Sequence, residues 1–223
     1  KEIPQMPSFE IAATSISSKQ VGGDYYDIIK KDEEKYFVAI GDVSGKGVPA
    51  ALLMANLQAF LKSICTQNVA IDVATGTIND LVSENTSDGK FITFFWGIID
   101  NAAKTLSYVN AGHNPPLLIR NGEIIYLDKG GIILGVMKTF MPYVSETVQL
   151  ESGDLIVLFT DGVTEAKSPE DEEFTDEKLE AEVKDVAGLD SGEILEKIKH
   201  SVYDHANGAF QSDDITIIVI KVL

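Results

Sequence analysis

The chain has 223 residues, 44% of them hydrophobic, a formal net charge of −17 and one cysteine, Cys65. That charge sets it against nucleic acid and anionic membrane surfaces, whose phosphates would repel it. One cysteine excludes an internal disulfide and suits a reducing, cytoplasmic compartment, and no stretch approaches the roughly 20 apolar residues of a membrane span.

Lys1 to Pro7, with two prolines, reads as an opening segment, and Phe9 to Ile16 as a first strand. In Val21-Gly22-Gly23-Asp24-Tyr25-Tyr26-Asp27-Ile28-Ile29 the glycine pair marks a bulge or a close backbone approach, and the aromatics continue as a strand. Asp24 is either a site carboxylate or merely a turn residue, and Asp27 reads as a solvated strand position. A charged turn from Lys30 to Lys35 then leads into Tyr36 to Asp42, which returns antiparallel. This pairing brings Asp24 and Asp42 toward the same end of two strands.

Gly41-Asp42-Val43-Ser44-Gly45-Lys46-Gly47 turns the chain next. It is not the nucleotide-binding loop G-x-x-x-x-G-K-[ST], because Gly41 and Gly45 enclose three residues and Gly47 stands where Ser or Thr should be. Either Asp42 holds a cation here or it merely caps a strand–turn–helix junction. Pro49 opens a helix reaching Thr66, with proline where a missing N–H costs nothing. Cys65 lies inside that helix as a core side chain. Val69 to Glu84 reads as a second helix on Val69, Val73, Leu81 and Val82.

Phe91 to Ile99 is a nearly continuous apolar strand, and Thr105 to Val109 pairs back on it. Asn110-Ala111-Gly112-His113-Asn114-Pro115-Pro116 makes a sharp turn, in which His113 either shapes the loop, the preferred reading, or serves as a metal ligand or acid–base group. Leu117 to Ile119 and Glu123 to Leu127 form a hairpin around Asn121-Gly122. Gly130, Gly131 and Gly135 mark a loop, and Tyr143 to Leu150 alternates as a strand. Leu155 to Phe159 is a buried strand ending in Thr160-Asp161-Gly162, the same design as the end of the Tyr36–Asp42 strand. Pro169 to Glu182 is densely acidic and reads as a solvated loop and helix face. Asp190 to Ala206 reads as a helix with Asp190 and Glu193 as a capping pair. Ser212-Asp213-Asp214 leads into a last buried strand, Ile215 to Val222.

Strands outnumber helices and are joined mostly by hairpins, which is the α+β pattern. Four places put aspartate at the margin of an apolar strand: Asp24, Asp42, Asp161 and the pair Asp213-Asp214. Carboxylates ~4 Å apart repel by about 4 kcal/mol at an effective dielectric of 20. If they converge they must be protonated or neutralised, and two divalent cations would neutralise four of them. All-oxygen ligands select Mg²⁺ or Mn²⁺. Such a pair can activate water and neutralise phosphate oxygens. This would supply the positive charge that a chain with Arg120 as its only arginine lacks.

Taken together, Val21 to Asp27, Gly41 to Gly47 with Pro49-Ala50-Ala51, Asn110 to Pro116, Phe159 to Ala166 and Asp213 to Thr216 resemble the motif set of the PPM metal-dependent protein phosphatases. The similarity is greatest to the bacterial branch typified by SpoIIE and RsbU and runs from about Phe9 to Val222. It implies two antiparallel β-sheets forming a sandwich flanked by α-helices, in a single domain over 1–223 that is one part of a longer regulatory protein. It implies hydrolysis of phosphoserine or phosphothreonine in proteins by water activated between two divalent cations, Mn²⁺ or Mg²⁺.

Carried over by motif, Asp42 would bridge both ions, the Val43 carbonyl would bind one, and Asp24 would hold that one directly or through water. Asp161 and Asp213 would hold the second, with Asp214 beside them. Asp42, Asp24 and Asp161 are then the catalytic carboxylates. The implied partner is a phosphorylated anti-sigma-factor antagonist, and a homodimer is compatible with the branch. The phosphate-binding arginine that eukaryotic members carry is missing, since the nearest cation before Asp24 is Lys19. The alternative is a non-catalytic, metal-stabilised module that binds a signalling partner. A calcium-binding loop of the D-x-[DN]-x-[DN]-G-x₅-E type is absent from the sequence.

Overall fold

The structure, a computed structural model, describes residues 3–86, 89–184, 186 and 188–223, so Lys1 and Glu2 of the opening segment lie outside the described residues. In chain order the elements are β1 (Phe9–Ile16), β2 (Tyr25–Lys30), β3 (Lys35–Val43), α1 (Val48–Cys65), α2 (Ile71–Asn85), β4 (Ile92–Asp100), β5 (Thr105–Ala111), β6 (Leu117–Arg120), β7 (Glu123–Tyr126), β8 (Gly130–Gly131), β9 (Glu146–Gln149), β10 (Leu155–Phe159), α3 (Asp161–Thr164), α4 (Asp176–Lys184), α5 (Ser191–Ala206) and β11 (Ile215–Val222). They form two compact units. Among the described residues, one lies within 3–4, Gln20–His113 and Asp128–Leu150, the other within Gln5–Lys19, Asn114–Leu127 and Glu151–Leu223. The chain passes back and forth between them rather than completing one before starting the other.

The first unit is built on a sheet ordered β2-β3-β4-β5-β8, with β9 also pairing β5. β3 is buried along almost its whole length because it is a central strand of small, β-branched and aromatic residues. One face of the sheet carries Phe37, Ala39, Phe94 and Trp96, packed in one core with Leu53, Leu57, Leu61 and Ile64 of α1 and Ala74, Ile78 and Val82 of α2. Each fully buried Leu or Ile contributes about 1.5–3 kcal/mol. The buried Trp96 indole N–H donates to the Thr75 hydroxyl at 2.8 Å, so the polar end of the largest core residue is satisfied.

Three expectations change here. The buried face of α2 runs through Ile71, Ala74, Ile78 and Val82, while Val73 is 59% exposed. A four-residue reading of apolar positions put Val73 inside because it ignored the small residues Ala74 and Thr75, which allow close packing. Gly130 and Gly131 are not only loop: they add a two-residue parallel pairing to β5, the exception in an otherwise antiparallel sheet. By length and composition α1 also matches a membrane span, although Leu53, Leu57 and Leu61 are buried in the protein core.

The second unit is built on an antiparallel sheet ordered β1-β11-β10-β6-β7. Val157 and Phe159 of β10 and Ile217 and Val219 of β11 share a core with Leu179 and Val183 of α4 and Ile194, Ile198 and Val202 of α5. The acidic segment is solvated as expected apart from Phe174 and the apolar face of α4. The α5 capping box is present: Glu193 N–H donates to Asp190 Oδ1 at 2.8 Å, and Asp190 N–H donates to Glu193 Oε2 at 2.9 Å. Asp190→Ala is therefore expected to lower stability by about 1 kcal/mol in a denaturant titration.

Burial, then the nearby Asp27, pushes the Cys65 thiol up from 9.0 to about 12. The folded chain thus keeps a proton that the unfolded chain releases above pH 9.0, and stability falls as pH rises from there to about 12. Thermal midpoints across that range check this. At pH 8 the thiol is expected to react with a disulfide reagent only after unfolding.

Candidate metal centre

Asp24, Asp42 and Val43 belong to the first unit. β2 and β3 pair with Tyr25 opposite Gly41, so Asp24, one residue before β2, falls opposite Asp42. The two carboxylates therefore occupy the same end of two hydrogen-bonded strands, as the sequence suggested. Gly23 makes this possible. A Cβ there would lie 3.1 Å from the Val43 carbonyl oxygen and 3.3 Å from the Ala50 Cβ, so the chain runs tightly past the residue expected to offer its carbonyl.

The turn after Asp42 is pinned from a distant segment. Ser44 N–H donates to the Phe91 carbonyl at 2.9 Å, Phe91 N–H donates to Ser44 Oγ at 2.9 Å, and Lys90 Nζ donates to the Ser44 carbonyl at 3.1 Å. Behind Asp42 stands its cross-strand partner Thr93, whose hydroxyl bonds His113 Nδ1 at 2.9 Å. His113 is buried, and the Asn110 side chain brackets its backbone, accepting from His113 N–H at 2.8 Å and donating to His113 C=O at 3.0 Å. His113 thus shapes and braces the loop, in keeping with the structural reading.

Asp27 corrects the sequence reading. It is 8% exposed and not a solvated strand position. It accepts from the Tyr25 hydroxyl at 3.1 Å, and Lys62 of α1 lies 3.9 Å away. Alternation failed as a guide because α1 covers this face of β2. Burial first, and Asp27 second, raise the Tyr25 hydroxyl far above its usual range, so Tyr25 remains a donor at every physiological pH.

Asp161, Asp213 and Asp214 belong to the second unit. Asp161 is the first residue of α3, directly after β10, and Asp213-Asp214 directly precede β11, which pairs with β10. Thr160 joins the two strand ends: its Oγ accepts from Thr216 N–H at 3.0 Å, and its N–H donates to the Thr216 carbonyl at 3.0 Å. Gly162 lets the segments touch. A Cβ at Gly162 would fall 1.9 Å from the Asp214 carbonyl oxygen and 3.4 Å from the Asp213 Cβ.

Asp214 is buried, and its Oδ1 accepts from Ser18 N–H at 2.7 Å and Ser18 Oγ at 3.0 Å. Asp213, less buried, accepts from Asp214 N–H at 2.9 Å. Of the pair, Asp214 is the one committed to holding the chain together. Ser18 was not picked out in the sequence, since a bond spanning 196 residues leaves no local spacing to read. The same holds for Ser44, Lys90 and Thr93.

Among the described residues no group of three or more His, Cys, Asp or Glu is gathered tightly enough to hold a metal by itself. Each unit contributes a smaller group. The donors in both are hard oxygens with no sulfur, the set that Mg²⁺ and Mn²⁺ take and that zinc or copper sites rarely use. The residues present fit such an ion.

Comparison with known proteins gives the class first. The structure of the PP2C phosphatase domain and a regulatory-domain fragment of SpoIIE from Bacillus subtilis superimposes with a TM-score of 0.84 at 24% identity, covering 98% of this chain and 64% of that one. The catalytic domain of the serine/threonine protein phosphatase PstP, solved in complex with two manganese ions, gives a TM-score of 0.68 at 17% identity, covering 97% and 99%. The fold is therefore that of PP2C-type phosphatase domains. The phosphoserine phosphatase RsbU of Bacillus subtilis is 34% identical over 169 residues, 75% of this chain. The chain spans 50% of that relative's length. The family model of stage II sporulation protein E matches residues 32–223, and the chain belongs to the SpoIIE family.

Gly162→Ala is expected to cost about 1–3 kcal/mol of stability, because the new methyl meets backbone that cannot swing away. Chemical denaturation measures it, and an unchanged midpoint would mean that α3 and the Asp213-Asp214 segment are not held in contact.

Proposed function

We propose that the chain is a metal-dependent protein serine/threonine phosphatase acting on a phosphorylated anti-sigma-factor antagonist. The observation that carries this reading is the paired design. Each unit ends an apolar strand in aspartate, follows it within a few residues by glycine, and brings a second aspartate to the same place. Family membership and the two manganese ions named for PstP support the same reading.

In this proposal Asp42 with the Val43 carbonyl and Asp24, and Asp161 with Asp213, together hold one pair of divalent cations, Mn²⁺ or Mg²⁺, within a single functional domain. When bound, the ions activate water and offset charge on phosphate oxygens. The chain's own residues do the positioning. Gly23 and Gly162 allow the close approaches, the Thr93–His113 bond holds the strand position paired with Asp42, and Ser18 ties Asp214, the neighbour of Asp213. The phosphate-binding arginine of eukaryotic members has no counterpart before Asp24, so recognition falls to the surface of the partner protein.

With Mn²⁺ the chain is expected to hydrolyse p-nitrophenyl phosphate and a phosphoserine protein. Chelation is expected to abolish both, and Asp42→Ala to lower kcat at least about 100-fold, the scale of losing a preorganised electrostatic group. Activity that survives chelator or Asp42→Ala would reject the reading. Metal binding without turnover would instead favour the partner-binding module.

A further inference from the structure

A cavity of about 320 Å³ opens in the second unit at the C-terminal end of α5. Val202 and Ala206 of α5, Ala166 and Phe210 give it apolar walls, and Asp213 and Lys167 add one charge of each sign. Its volume lies at the low end of ligand sites, roughly 300–1,000 Å³, which suits one inserted side chain better than a whole small molecule.

Three features separate it from an ordinary packing gap. First, Phe210 is 81% exposed, the most exposed large apolar side chain among the described residues. Burying it against a partner would recover the hydrophobic free energy that the isolated chain forgoes. Second, the backbone on either side of it is held. α5 ends at Asn207 in the left-handed conformation, φ 42°, with Asn207 N–H donating to the Tyr203 carbonyl at 2.9 Å. Just beyond, Gln211 Nε2 donates to the Ile16 carbonyl at 2.9 Å and to the Asp213 carbonyl at 2.8 Å. A held aromatic loses little entropy on binding. Third, Gly162 and Asp213, which form the acidic end of this unit, line the cavity themselves.

We propose that this cavity receives an apolar side chain lying close to the phosphorylated residue of the protein substrate. The inference rests on the phosphatase reading, which puts the phosphate at Asp161 and Asp213. An extended chain advances about 3.3 Å per residue, so a side chain two positions away lies within about 7 Å of the phosphorylated one. That reaches a cavity whose wall includes Asp213. Lys167, paired with Asp171 at 2.9 Å, adds a cation where an anionic segment must approach a chain of net charge −17. The occupant is thus a phosphoserine segment carrying Leu or Phe within two residues of the phosphate.

Two ten-residue phosphoserine peptides test this, one with Phe two positions after the phosphoserine and one with Ala there. Their hydrolysis is compared with that of p-nitrophenyl phosphate, and their binding is followed by fluorescence anisotropy with Mn²⁺ present. The Phe peptide is expected to bind about tenfold or more tightly and to show a kcat/KM higher by the same factor. Phe210→Ala, a surface change that spares the core, and Ala206→Trp, which fills the cavity, are each expected to bring the ratio between peptides to within about twofold. Equal binding of the two peptides, or an unaltered ratio in both variants, overturns the proposal. Tighter binding of the Phe peptide with no hydrolysis of any substrate keeps the docking cavity and rejects the phosphatase reading instead.

Discussion

Carboxylates brought to one end of two paired strands repel, and the β2–β3 ladder begins one residue after Asp24, while β3 ends at Asp42 and Val43. Directly opposed residues in an antiparallel pair have Cα atoms about 4.5–5.5 Å apart, and unit charges at ~4 Å cost about 4 kcal/mol even at an effective dielectric of 20. Backbone hydrogen bonds along six residue pairs fix this register, so the side chains cannot shift along the strand to escape. The second unit repeats the problem, since Asp213 and Asp214 are adjacent in the chain and Gly162 brings the start of α3 against them. A fold that spends stability on such placements needs compensating positive charge. Divalent cations would supply it, and the one arginine, Arg120, is already bonded to Asp154 at 2.9 Å.

The rest of the architecture serves that constraint by making the carboxylates rigid. β3 and β10 are both buried strands, so Asp42 and Asp161 sit at the ends of elements that cannot flex without disturbing a core. Short polar ties then hold the loops: Ser44 with Phe91, Asn110 with His113, Thr160 with Thr216, and Ser18 with Asp214. None touches the expected chemistry. Each fixes a backbone segment from which a ligand extends, and preorganisation of this kind is what lets metal ligands and catalytic groups work without reorganising.

Much of this was legible in the sequence, for identifiable reasons. Strong apolar runs gave β1, β10 and β11, and a proline followed by an apolar stretch gave α1. Asp190 and Glu193 three residues apart gave the α5 cap, because each of these signals is local. The aspartates could be picked out because polar residues at the margins of apolar strands break the pattern. What could not be read was tertiary. Asp27 looked solvated because nothing in β2 announces that α1 covers it. Val73 looked buried because α2 packs through Ala74 and Thr75. The pairing of Gly130–Gly131 with β5, and the Ser18–Asp214 bond, link residues whose separation follows no period. Nor does composition alone reveal the apolar cavity beside Asp213, since Phe210 and Val202 come together only when α5 ends in its left-handed cap.

In the proposed function both acidic groups are needed to hold one pair of ions. Isothermal titration of the metal-free chain with Mn²⁺ tests this most directly, on the wild type and on Asp42→Ala and Asp213→Ala, one variant from each unit. The prediction is two equivalents bound by the wild type, with each single substitution weakening or removing binding of the pair. Two equivalents bound unchanged by both variants, or no binding at all, would contradict it.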